Sequence, residues 1–232
     1  MDNIRTVSDT KRTFYQLHTR PINSIYRRVI EEIMVEMHLL NVNADFQYNS
    51  IYALGVVTAF DRFMQGYLPE ADKDSIFRAL IQAQGEDPQK YRSDAESLQS
   101  VVQDISMEDL QAWIQQAQDN TNGNVLRQQF HTIANHPKFK YSRLFAIGLY
   151  TLLEAAASEE LQTRESREEL IAKLAAGLNL SQEKLLKDIE IYSSNLEKVA
   201  QARVVMEEMT QAERKKREQR ANAKADLTPE QS

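Results

Sequence analysis

Cysteine is absent from the 232 residues. That removes disulfides, thiol catalysis and thiolate metal sites, and it suits a reducing compartment or one under redox stress. Glycine and proline number only 6 and 5, too few punctuators for a many-stranded fold. The 4 histidines are His18, His38, His131 and His136. None stands in an HExxH, H-x3-H or ExxH spacing, so zinc-hydrolase and di-iron-bundle chemistry fail on geometry. A glycine-rich phosphate loop and a G-x-S-x-G elbow are missing too. No metal, cofactor or catalytic residue is therefore assigned. Excess positive charge is lacking: the net charge of −6 argues against general nucleic-acid binding. The N-terminus, MDNIRTVSDTKRTF, has neither an apolar segment nor an Arg/Ser-rich leader, and reads as a chain mature as written or made where it works.

What the chain has is a sizeable apolar complement, 42%, beside 27% charged residues. That is enough for one large core-forming domain with an extension. The stretch from Asn49 to Gly66, NSIYALGVVTAFDRFMQG, is apolar almost all the way round a helix. Its polar residues, Thr58, Asp61, Arg62 and Gln65, share one narrow stripe. Gly55 lies on that stripe, where a missing Cβ permits close approach of another backbone. The run is shorter than the roughly 20 residues of a spanning helix, and charges interrupt it, so it is buried by other helices. A second very apolar helix, about Ser142 to Ser158, is expected beside it. Asp61 and Glu154 are the carboxylates in the most apolar settings, each expected to be satisfied by an arginine or a backbone group. Arg62 beside Asp61 points to a polar seam between helices.

The remaining pattern is helical throughout. A short helix from Asp9 to about Leu17 is expected, capped by Ser8. HTRP (His18 to Pro21) breaks it, and Pro21 fits the first turn of a helix reaching Leu40. Further helices are expected over about Lys73–Gln84, from Pro88, after Ser106, over Val125–Ile133, and from a Ser166/Glu169 capping box to Gly177. DNTNGN (Asp119 to Asn124) is the clearest polar loop and a candidate nicking site. From Ser181, the residues Leu185, Ile189, Tyr192, Leu196 and Val199 alternate steps of four and three like a coiled-coil seam. The fold class is all-α: a single multi-helix domain around two buried apolar helices, with a long protruding C-terminal helix. The divisions are a core over 1–180, the long helix over 181–221, and a disordered tail over 222–232.

Two charged surfaces stand out. Arg27, Arg28, Glu31 and Glu36 line the polar face of the Pro21–Leu40 helix. They read as a solvated face with i,i+4 pairs, or as a partner-binding surface. Between Glu213 and Lys224, six Lys/Arg stand against two Glu, a +4 segment that leaves −10 on the remainder of a −6 chain. Arg214, Lys215, Lys216, Arg217 and Arg220 form either an exposed helix end or a contact for a membrane or an acidic partner.

One family carries these phrases together. VSDTKRTFYQLHTRPINSIYRRVIEE, VEMHLL, DFQYNSIYALGVVTAFDRFM and HPKFKYSRLFAIGLYTLLE resemble the thylakoid formation proteins, also described as photosystem II biogenesis proteins of about 29 kDa, of cyanobacteria and chloroplasts. The resemblance runs through nearly the whole chain and fades after about Thr210. It implies an all-helical, non-enzymatic factor for photosystem II biogenesis and repair. It further implies association with the FtsH protease complex and peripheral contact with the cytoplasmic side of the thylakoid membrane, or the stromal side for a trimmed plastid form. The alternative is an assembly subunit that binds photosystem II subunits directly.

Overall fold

Polar side chains punctuate long apolar-striped runs, and each punctuation starts or ends a helix. The computed structural model describes residues 5–103, 105–119, 123–156 and 163–225, with side chains to 219. Among these residues there are ten helices and no strand: α1 (Val7–Leu17), α2 (Ser24–Asn41), α3 (Ser50–Phe63), α4 (Asp72–Gln82), α5 (Pro88–Gln103), α6 (Met107–Gln115), α7 (Val125–Ala134), α8 (Arg143–Ala156), α9 (Arg164–Gly177) and α10 (Gln182–Ala225). Part of the expected DNTNGN loop and the expected last residues of α8 lie outside the described residues.

The caps correct three expected boundaries. Thr6, not Ser8, caps α1, because its hydroxyl accepts from the Asp9 amide while the Asp9 side chain returns to the Thr6 amide. Asn23, not Pro21, opens α2 by accepting from the Ile25 amide at 3.1 Å. Thr163 caps α9 through the Ser166 amide at 3.1 Å. Glu169 is instead drawn to Lys173 at 2.8 Å, one turn on. In each case a hydroxyl or amide within reach of an unpaired first-turn N–H wins over the other candidate.

Helix α3 is the axis of the molecule. Every residue from Ile51 to Phe60 is buried. Its most extensive contact is with α8, and α5 covers a second side. Where α3 and α8 cross, Gly55 and Gly148 bring the two backbones together: a Cβ on Gly55 would stand 1.7 Å from the Leu144 carbonyl oxygen. The polar stripe of α3 starts buried at Thr58 and reaches the surface only from Asp61 onward, where its two charges separate. Asp61 takes both guanidinium nitrogens of Arg92 from α5, at 2.5 and 2.9 Å. Arg62 reaches Glu154 of α8 at 2.6 and 3.3 Å. Neighbours in sequence thus pair with different helices rather than with each other.

Helix α10 packs on α8 and α9 through the expected seam. Leu185, Ile189 and Tyr192 are buried, and Leu196, Val199 and Met206 are partly buried against the core. The seam continues past Val199 to Arg203, whose guanidinium donates to the Gln65 carbonyl at 3.1 Å, just beyond the end of α3. A cation at that helix end meets its partial negative charge. Met206 still touches Asn23 at 3.0 Å. After it the helix is exposed along its length as far as side chains are described. It runs to Ala225 rather than Ala221, as an Ala-, Lys-, Arg- and Gln-rich segment of high helix propensity can. Residues 226–232 of the expected tail lie outside the described residues.

Candidate functional site

Helix α2 borders a cleft that it shares with α3, α8 and α10. Its ridge of Val29, Ile33 and Leu40 lines a groove of about 1060 Å³, whose floor is Ala59 and Phe63 of α3. The far wall is the start of α8 and Tyr192 of α10. A second space of about 450 Å³ continues it between α2 and α10, past Lys198, Val199 and Ala202. All four residues singled out on α2 line this groove, but they do different things there.

Arg27 and Arg28 are exposed. Arg28 meets Glu32 one turn on, at 3.3 Å, an exposed pair of little energetic weight. Arg27 makes no ion pair among the described residues. Glu31 is held by α1: Lys11 donates to one oxygen and the Tyr15 hydroxyl to the other, both at 2.7 Å. The Lys11 hydrogen bond is the main cause that pulls the Glu31 carboxyl below its ordinary range. Burial, and then Glu31, push Tyr15 up to about 12.

Glu36 crosses the groove. Its Oε1 accepts from the Leu144 amide at 3.0 Å, in the first turn of α8, where unpaired N–H groups and the helix dipole favour an anion. Ser142 satisfies the Phe145 amide of the same turn at 3.0 Å. Burial nevertheless pushes the Glu36 carboxyl up, against the opposing pull of the Leu144 amide and Arg143. Sequence reasoning placed Glu36 on the charged face and missed this role. The signal was present: Val29, Ile33, Glu36 and Leu40 share one stripe, so a lone carboxylate sat among apolar positions.

The basic run lies on the exposed end of α10. Arg214, Lys215, Lys216 and Arg217 are exposed, and none makes an ion pair among the described residues; the side chain of Arg220 lies outside them. Among the described residues no helix is long and apolar enough to cross a membrane. Each histidine has a hydrogen-bond partner: His18 with Ser75 and His38 with Thr10, each at 3.0 Å, His131 with the Ala117 carbonyl at 2.9 Å, and His136 with the Lys138 amide at 3.2 Å. Among the described residues no three His, Asp or Glu side chains group as metal ligands would.

Comparison with known proteins returns one family. The model of the thylakoid formation protein family matches residues 6–221. Protein Thf1 of Trichormus variabilis is 60% identical over 220 residues, covering 95% of this chain and 94% of its own. Protein Thf1 of Rippkaea orientalis is 54% identical over 233 residues, covering 100% and 99%. The solved structure of Psb29 superposes with a TM-score of 0.80 at 45% identity, over 92% of this chain and 98% of that one.

Proposed function

This chain belongs to the thylakoid formation protein family, and we propose that it is a non-enzymatic factor for photosystem II biogenesis and repair that acts by associating with the FtsH protease complex and stabilising it. The observation that carries this reading is the exposed charged face of α2. Helices that exist only to fill a core bury one stripe and solvate the rest. Here α2 presents exposed Arg27 and Arg28 beside a cleft, within the segment where the family resemblance is densest. Attachment is peripheral, on the cytoplasmic side of the thylakoid membrane. The exposed basic end of α10 supplies a weak contact with anionic lipid.

The test is affinity purification of the tagged full-length chain from thylakoid membranes after high light, beside an Arg27→Glu/Arg28→Glu variant. Both positions are exposed, so melting should not change. FtsH subunits should dominate the native eluate and fall several-fold in the variant. An eluate dominated by photosystem II subunits would favour direct assembly instead. FtsH recovery undiminished in the variant would show that this face is only solvated.

A further inference from the structure

A second stripe leaves the body on α10. Ala202, Val205, Met209 and Ala212 follow one another by steps of three, four and three. They lie roughly a third of a turn round from the seam that grips the core. Ala202 is half-buried where the helix leaves the body. Val205 is 54% and Met209 63% exposed, and neither packs against the core. The spacing is that of a coiled-coil interface, here presented to solvent.

The flanking charges specify the occupant. In heptad terms Val205 and Ala212 take d, and Met209 and Lys216 take a. Glu208 and Lys215 fall on the g flank and Glu213 on the e flank. Two parallel copies would set Glu208 against Glu213 and Lys216 against Lys216, like charge on like. An antiparallel pair with Met209 level with Ala212 of the second copy sets Glu208 against Lys215, twice over by the two-fold symmetry. Lys216 then lies beside Val205, where its methylene stem covers apolar surface and its ammonium reaches water. There is room for this register. Met206, the last described residue packed against the body, stands level with Lys215 of the second copy, so the two bodies are held about 14 Å apart along the rod.

We propose that α10 pairs antiparallel with α10 of a second copy of this chain through Val205, Met209 and Ala212, oriented by Glu208 and Lys215. Two large apolar side chains per copy make the dimer weak and reversible, in the micromolar range. The charged flanks fix its direction more than its affinity. Arg214 and Arg217 face away from the pair at these helical positions, so they stay available to an acidic surface. The proposal does not depend on the protease reading.

Sedimentation velocity of the full-length chain over a concentration series tests it. The native chain should pass from monomer to dimer as concentration rises. Val205→Asp/Met209→Asp should weaken the dimer roughly tenfold or more. Glu208→Lys should weaken it roughly tenfold, and adding Lys215→Glu to the same chain should recover the native constant. All four positions are exposed, so these variants should melt as the native protein does. Orientation is read separately. The chain has no cysteine, so Gln219→Cys carries one spin label per copy. The antiparallel register sets the two labels about 26 Å apart along the axis, whereas a parallel pair brings them to about 10 Å. A chain that stays monomeric throughout overturns the proposal and leaves the stripe to another protein or to lipid. A dimer unmoved by Val205→Asp/Met209→Asp overturns it and places the contact elsewhere. A stronger dimer in Glu208→Lys, or labels at the shorter distance, overturns it in favour of a parallel pair. The assay contains only this chain, so either result leaves the FtsH purification to be judged on its own.

Discussion

Gly55 of α3 and Gly148 of α8 face each other across the helix crossing so closely that each occupies the other's side-chain space. A Cβ built on Gly55 lies 2.9 Å from the Gly148 nitrogen, and one built on Gly148 lies 3.0 Å from the Gly55 nitrogen and 1.9 Å from the Ile51 carbonyl oxygen. Two opposing effects act on a Gly148→Ala variant. Helix propensity favours alanine by about 1 kcal/mol. The added methyl, however, meets backbone that cannot rotate away, and overpacking costs about 1–3 kcal/mol or more. The second effect wins. Urea unfolding should show a loss of about 2 kcal/mol or more; a gain would mean that the helices separate freely.

Charge placed next to this crossing should be far worse than charge removed from its edge. Phe60 is 1% exposed and its ring packs edge-on to Phe77 at 5.1 Å. Phe60→Asp buries an unpaired carboxylate and should cost on the order of 4 kcal/mol. Asp61, next in sequence, is half exposed in its pair with Arg92. Asp61→Asn should cost about 1 kcal/mol or less. Thermal melts of the two variants check the contrast, and similar melting temperatures would displace α3 from the centre of the fold.

Glu36 predicts a pH dependence of defined sign. Its carboxyl is raised by burial from an ordinary value of 4.5. The folded state therefore holds this proton at pH values where the unfolded chain has released it. The stabilisation from that proton is fully present below 4.5 and is lost as pH rises through the folded value. Glu36→Gln keeps an oxygen for the Leu144 amide and never ionises. The melting temperature of the variant minus that of the native protein should rise with pH from about 4.5 upward. A difference that is flat with pH would show that Glu36 titrates as an exposed group does.

The tail prediction separates stability from attachment. Beyond Met206 α10 covers no core. Deleting from Glu213 onward should leave the melting temperature unchanged and lower helical ellipticity only in proportion to the residues lost. Near an anionic surface each basic residue contributes about 1 kcal/mol, so the truncated chain should co-sediment less with anionic vesicles at low salt, and both forms should release at high salt. Equal sedimentation would remove the tail from membrane attachment.

Much of this architecture was legible because its cause is periodic. The all-α class, α3 and α8 as buried partners, and Gly55 as the point of close approach all follow from side-chain spacing on single helices. Cap assignments were less secure: Thr163 and Ser166 are three residues apart and carry similar hydroxyls, and only the backbone decides which accepts. The partners of Asp61 and Arg62 were not legible, since Arg92 and Glu154 arrive from helices far along the chain. The groove was invisible for the same reason. It is a distance between α2, α8 and α10, and no single helix records how far the others stand from it.

The length of α10 has an electrical consequence. Among the described residues Met206 is the last to pack against the body, and Arg214 follows about 12 Å further along the helix, with Lys224 about 27 Å away. Counter-ions at physiological strength erase a charge's influence over roughly 8 Å. The cationic tip is therefore beyond the reach of the acidic body on the same chain, and each end answers to its own surroundings. A membrane meeting the tip first encounters a small cation on a stiff rod rather than a protein of net −6. Salt and modification at either end can then tune one contact without retuning the other.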